Sequence, residues 1–71
     1  MKTLDKDGAY TLGKLLIHGY TLSGNKYEAE NVAQWAEKIT GEKVSVKKDP
    51  DRVYFEIKFE VSHNERYSTL G

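Results

Sequence analysis

The sequence predicts a small single-domain α+β fold over residues 1–71, in which an antiparallel β-hairpin packs against a helix. Three observations predict it: a strict alternation of apolar and polar residues at 53–61, turn residues just before it, and a helical apolar stripe at 25–40. A chain of this length is near the lower limit for independent folding. We therefore expect an N-terminal helix, or alternatively a strand, at about 9–19 to complete the core.

The hairpin is expected to have strands at about 43–48 and 53–61. Successive side chains of a strand point to opposite faces, so this alternation makes one face apolar and leaves the other in water. The apolar face comprises Val44, Val46, Val53, Phe55, Ile57, Phe59 and Val61. An isolated two-stranded hairpin is only marginally stable, so another element must cover this face.

The turn of the hairpin is predicted at residues 49–52, which read Asp-Pro-Asp-Arg. A tight turn here would place Val46 opposite Phe55. Val44 would then lie opposite Ile57, on the same side of the hairpin.

Residues 25–40 predict a helix that starts at Asn25 and ends before Gly41. Glu28, three residues after Asn25, resembles the second member of a capping box. The stripe expected to face the hairpin comprises Ala29, Val32, Ala33, Ala36 and Ile39, with Trp35 on its flank. We expect Trp35 to contact Phe55 or Phe59.

Residues 9–19 admit two interpretations. As a helix, the segment would be capped by Asp7 and would bury Leu12, Leu15 and Leu16. As a strand, it would be favoured by Ile17, because β-branched residues suit strands. We expect the helix, with residues 20–24 as a connector, a loosely held N-terminal end, and a mobile tail at 62–71.

The composition limits the functional classes. The chain has 11 Lys and Arg, 11 Asp and Glu, and no cysteine. The zero net charge argues against a dedicated nucleic-acid binder, and the lack of cysteine excludes disulfides and thiolate chemistry. The sequence has no signal-peptide pattern and no apolar run of transmembrane length, so we expect a cytoplasmic location and no membrane partner.

No motif supports catalysis, a cofactor or a metal ion. Residues 8–14 fit G-x-x-x-x-G-K, but Leu15 stands where a P-loop needs Ser or Thr. Residues 5–8 resemble part of a calcium-binding loop, yet Lys14 occupies the position of its essential Glu. His18 and His63 are far apart in the sequence and lie in different predicted elements. We therefore expect no enzymatic activity.

The leading hypothesis is a protein-binding or regulatory accessory module, a role typical of short proteins encoded by phages or mobile elements. The partner would be another protein or a second copy of the chain. The chain has five tyrosines, and one of them, Tyr54, lies amid mixed charges on the polar hairpin face, which favours this interpretation. The candidate contact residues are Lys47, Tyr54, Glu56 and Lys58.

DNA binding is the alternative hypothesis. The order helix, connector, helix, hairpin resembles the latter part of a winged-helix domain, although that fold normally has a further helix. The resemblance implies that helix 25–40 reads bases while the 44–61 hairpin acts as a wing. The corresponding contact residues are Lys26, Asn31, Gln34, Lys43, Lys48 and Arg52.

Overall fold

Helices and strands alternate in the first half of the chain, and a hairpin follows. The computed structural model describes residues 2–60. The elements are α1 (Lys6–His18), β1 (Tyr20–Ser23), α2 (Lys26–Thr40), β2 (Val44–Lys48) and β3 (Phe55–Phe59). The α+β fold and its hairpin are confirmed. Val61 and the predicted tail at 62–71 lie outside the described residues.

The three strands form one antiparallel sheet in the order β1-β3-β2, so β3 lies at its centre. The prediction of a connector at 20–24 was therefore wrong, because most of this segment is an edge strand. Its inward-facing residues, Thr21 and Ser23, are buried but polar. The apolar alternation that marks a half-buried strand is consequently missing from its sequence.

The predicted register of the hairpin was wrong by two residues. Val46 lies opposite Ile57, and Val44 lies opposite Phe59. The loop is longer than a tight turn, since the Asp49 N–H donates to the Tyr54 carbonyl oxygen at 3.1 Å. A shift of two residues keeps the side chains of β2 and β3 on their predicted faces.

The longer loop also displaces Val53, which the sequence assigned to the apolar face. Val53 lies in the loop and 74% of its surface is exposed. The Lys48 ammonium group donates to the carbonyl oxygens of Asp49 and Arg52. The Lys48 side chain, at the end of β2, therefore stabilises the loop that follows this strand.

Helix α1 starts earlier than predicted, because Asp5 rather than Asp7 is its N-cap. The Asp5 carboxylate accepts a hydrogen bond from the Gly8 N–H at 2.8 Å. A Cβ atom on Gly8 would come within 3.0 Å of the Leu4 side chain. Glycine thus lets Leu4 pack against the first turn, and Gly19 ends the helix with φ at 84°.

Helix α2 has the predicted N-cap, but only half of the predicted capping box. Asn25 Oδ1 accepts from the N–H groups of Tyr27 and Glu28. The Asn25 N–H donates to Ser23 Oγ instead of to the Glu28 carboxylate. Glu28 instead accepts a hydrogen bond from Thr11 in α1.

The core lies between the helices and one face of the sheet. Its buried apolar residues are Leu15, Ala29, Val32, Ala33, Ala36, Val44 and Ile57. Helix α2 packs against all three strands, and α1 packs against α2 and β1. Leu16 and Ile39, predicted to be buried, are 40% and 56% exposed because they lie on the helix flanks.

The N-terminal segment is held by α2 rather than loosely attached. Trp35 Nε1 donates to the Lys2 carbonyl oxygen at 2.7 Å, and Asn31 Nδ2 donates to the same oxygen at 3.1 Å. Leu4 packs against the core. The tryptophan thus contacts the start of the chain, a contact that the sequence did not predict.

Candidate protein-binding surface

One face of the sheet is left uncovered by both helices. On it, Tyr20 lies opposite Lys58, and Leu22 lies opposite Glu56. On the other side of β3, Lys58 lies opposite Ser45 and Glu56 opposite Lys47. We call this surface the outer face; it comprises Tyr20, Leu22, Ser45, Lys47, Glu56 and Lys58, with Tyr54 just before β3.

The structure brings the four predicted contact residues together on this outer face. Lys47 and Glu56 lie directly opposite each other, and Lys58 follows two residues along β3. Tyr54 is 45% exposed at the loop end of the same face. Positive and negative side chains therefore alternate beside an exposed aromatic ring.

Tyr20 and Leu22 were missed by the sequence analysis. They are 56% and 43% exposed and extend the outer face across β1. Their segment had been assigned to a connector, and its partner strand β3 lies more than thirty residues further along the chain. Only the long-range pairing of β1 with β3 places them on this face.

Within residues 2–60, no strand pairs with the outer side of β1, so this edge of the sheet presents unpaired backbone groups. The Phe59 N–H donates to the Gly19 carbonyl oxygen at 3.3 Å, and the register then places Thr21 in the next hydrogen-bonded pair with Ile57. Antiparallel pairing alternates along a strand. The N–H and C=O groups of Tyr20 and Leu22 therefore point away from β3, towards the open edge.

The β2 edge is better protected. By the same alternation, Val44 points its N–H outward, and that N–H donates to Glu37 Oε2 at 2.9 Å. Lys47 and Lys48 are both exposed on this strand. Lysines and capped backbone groups are common means of preventing strand addition at a sheet edge.

A groove with a volume of about 630 Å³ runs between α1 and the β1 edge. It is lined by Tyr10, Thr11, Lys14, His18, Tyr20, Thr21 and Leu22. Tyr10, Lys14 and His18 recur at every fourth residue and so share one side of α1. The Lys14 ammonium nitrogen lies 5.3 Å from the centre of the Tyr10 ring. We call this feature the α1–β1 groove.

The residues proposed for DNA contact are spread over α2, both ends of β2 and the loop that follows β2. Asn31 donates to the Lys2 carbonyl oxygen, and Lys48 donates to the Asp49 carbonyl oxygen. Lys43 precedes β2, whereas Arg52 lies in the loop after it, at the opposite end of the strand.

The two remaining DNA candidates, Lys26 and Gln34, are exposed on α2. Glu30 is four residues from each of them, so a carboxylate lies between the two on the helix surface.

Residues 2–60 contain no group of three or more His, Asp or Glu side chains that could hold a metal ion. Within the same residues, neither helix is long and apolar enough to cross a membrane. Comparisons with known protein families, curated proteins and solved structures found no match to this chain.

Proposed function

We propose that this chain is a non-catalytic protein-binding module, with an accessory or regulatory role, whose contact surface is the outer face of the sheet. The observation that supports the proposal is the combination, on the sheet face that neither helix covers, of exposed aromatic and apolar side chains with charges of both signs. A partner of complementary shape and charge is the ligand that such a surface suits best.

The exposed apolar groups are suitable anchors. Tyr20, Leu22 and Tyr54 each keep more than two-fifths of their surface in water. Tyrosine buries a large area with few rotatable bonds and keeps a hydroxyl for hydrogen bonding, so it is common among the residues that dominate binding energy.

The charged groups supply specificity. Lys47 and Lys58 lie near Glu56 on the outer face. Alternating charges favour a partner with the opposite pattern and disfavour others by like-charge contact.

The sheet presents these groups rigidly. Ile57, at the centre of β3, is fully buried on the opposite side, between Glu56 and Lys58. Its packing fixes the backbone of the central strand. Binding then orders side chains only, which limits the entropy lost on association.

The experiment that tests the proposal compares two double variants. Lys47→Ala with Tyr54→Ala removes diagonal neighbours from the outer face. Lys26→Ala with Gln34→Ala, on α2, is the matched control. Partners captured from host cells are identified by mass spectrometry, purified and titrated against each variant by calorimetry.

We expect the outer-face variant to weaken binding by at least about tenfold, since an anchor residue contributes more than about 1.4 kcal/mol. The α2 variant should bind like the unchanged chain. Equal affinity of the outer-face variant and the unchanged chain would contradict the proposal.

Duplex DNA of mixed sequence tests the alternative function. A phosphate-binding module would bind at about 50 mM salt and weaken by orders of magnitude at about 200 mM salt. We expect no binding at the lower salt concentration. Light scattering of the purified chain then shows whether the partner is a second copy.

A further inference from the structure

We infer that the β1 edge and the α1–β1 groove form a second docking site, which takes an extended segment of another protein as a fourth strand, with acidic side chains turned towards α1. The inference rests on the proposed function in one respect, that the chain binds proteins. The two sites share Tyr20 and Leu22, but the second uses the backbone edge of β1 and one side of α1, which lie outside the outer face.

The backbone of β1 is the first argument. Tyr20 and Leu22 lie in the non-hydrogen-bonded pairs of the β1–β3 ladder, so their N–H and C=O groups point outward. An extended peptide offers the same groups at the same spacing and can continue the sheet. Within residues 2–60, no strand pairs with β1 on that side.

The position of α1 is the second argument. A strand added beside β1 would lie about 4.8 Å from it, over the α1–β1 groove. Every second side chain of that strand would then point into the groove, towards Lys14 and His18. The others would lie beside Tyr20 and Leu22 on the outer face.

The charge of the groove indicates which side chains it accepts. Among the described residues that line the groove, Lys14 and His18 are the only titratable side chains besides two tyrosines, and none is acidic. Glutamate or aspartate at the inward positions would pair with Lys14. Apolar residues suit the outward positions, because Leu22 is 43% exposed there.

The geometry favours a different protein over a second copy. Symmetric pairing of two β1 strands would place both α1 helices on the same side of the joined sheet. Each Lys14 and His18 would then face basic groups of the other copy, an unfavourable arrangement. The β2 edge is a poorer alternative, because Glu37 already binds the Val44 N–H.

The test uses a blocked peptide of about six residues in which valine alternates with glutamate, a length that matches the short β1 strand. The peptide is titrated into the ¹⁵N-labelled full chain and followed by NMR. We expect saturable shifts at the amides of Lys14, Tyr20 and Leu22, with slower hydrogen exchange at Tyr20 and Leu22. A peptide that alternates valine with lysine should bind at least about tenfold more weakly.

Variants separate this site from the outer face. Lys14→Glu should weaken binding of the glutamate peptide by about tenfold and strengthen binding of the lysine peptide. Lys26→Glu, the matched control on α2, should leave both affinities unchanged. The outer-face variant, Lys47→Ala with Tyr54→Ala, should also bind the glutamate peptide normally, so the two proposals can fail independently.

Three results would overturn the inference. Shifts confined to other parts of the chain would place the peptide elsewhere. Equal binding of the glutamate and lysine peptides would remove the role of Lys14. Hydrogen-exchange protection of Tyr20 and Leu22 that grows with protein concentration, without peptide, would identify a second copy as the occupant.

Discussion

The hydroxyl of Thr11 in α1 lies 2.9 Å from a carboxylate oxygen of Glu28 in α2, joining the middle of α1 to the first turn of α2. The same hydroxyl is 2.9 Å from the Asp7 carbonyl oxygen, although it has a single proton to donate. An ionised carboxylate is the stronger acceptor, so we assign the proton to Glu28. This bond helps to hold α1 beside α2 and thus sets the side of α1 that faces the β1 edge.

Thr11→Val should destabilise the fold by about 1–3 kcal/mol, because it leaves the half-buried Glu28 carboxylate without this donor. Thr11→Ser keeps the hydroxyl and is the matched control. Urea denaturation of both variants measures the difference. A valine variant that is as stable as the unchanged chain, or more stable than the serine variant, would contradict a stabilising role of this hydrogen bond.

Two glycines should respond in opposite ways to alanine. Gly13 lies inside α1, and a Cβ atom there would meet nothing within 4 Å. Gly13→Ala should therefore stabilise the chain by about 0.5–1 kcal/mol. Gly19 has φ at 84°, so Gly19→Ala should cost about 1–2 kcal/mol. Thermal unfolding measures both changes in stability. Stabilisation by Gly19→Ala would contradict the left-handed backbone conformation of Gly19 at the end of α1.

Proline substitutions distinguish the two sides of β1. Leu22→Pro removes an N–H that points to the open edge, which an edge strand tolerates. Thr21→Pro removes an N–H that pairs with β3 opposite Ile57. We expect Thr21→Pro to be less stable than Leu22→Pro by at least about 2 kcal/mol. Thermal unfolding followed by circular dichroism measures this difference in stability. Equal losses of stability in the two variants would mean that the N–H groups of Thr21 and Leu22 are both hydrogen-bonded.

The elements with strong periodic signals were predictable from the sequence. Asn25 and Gly41 bound α2 as expected, and Ile57 and Phe59 face the core from β3. The outer-face residues Lys47, Glu56 and Lys58 followed from the same alternation. A two-residue error in register did not affect them, because a strand repeats every two residues.

The β1 edge was not predictable in the same way. Tyr20–Ser23 is short, and the residues it buries, Thr21 and Ser23, are polar. Its role depends on pairing with β3, which no local pattern encodes. The α1–β1 groove follows from that pairing, so neither Lys14 nor His18 could be grouped with Tyr20 from the sequence.

The register of the hairpin depended on the loop. Residues 49–52 do form a turn, since the Arg52 N–H donates to the Asp49 carbonyl oxygen at 3.4 Å. The last pair of the hairpin is nevertheless Asp49 with Tyr54, where the sequence predicted Asp49 with Arg52. This shift of two residues leaves Val53 in the loop. The turn residues at 49–52 alone did not determine whether Asp49 pairs with Arg52 or with Tyr54.

Hydrogen exchange at individual amides of the free ¹⁵N-labelled chain tests most directly whether the β1 edge is open. We predict that the Thr21 N–H, which pairs with β3, exchanges slowly, whereas the N–H groups of Tyr20 and Leu22 exchange at nearly the rate of an unprotected amide. Slow exchange at all three positions in dilute solution would contradict it, because the chain would then already cover the edge that we propose for an incoming strand.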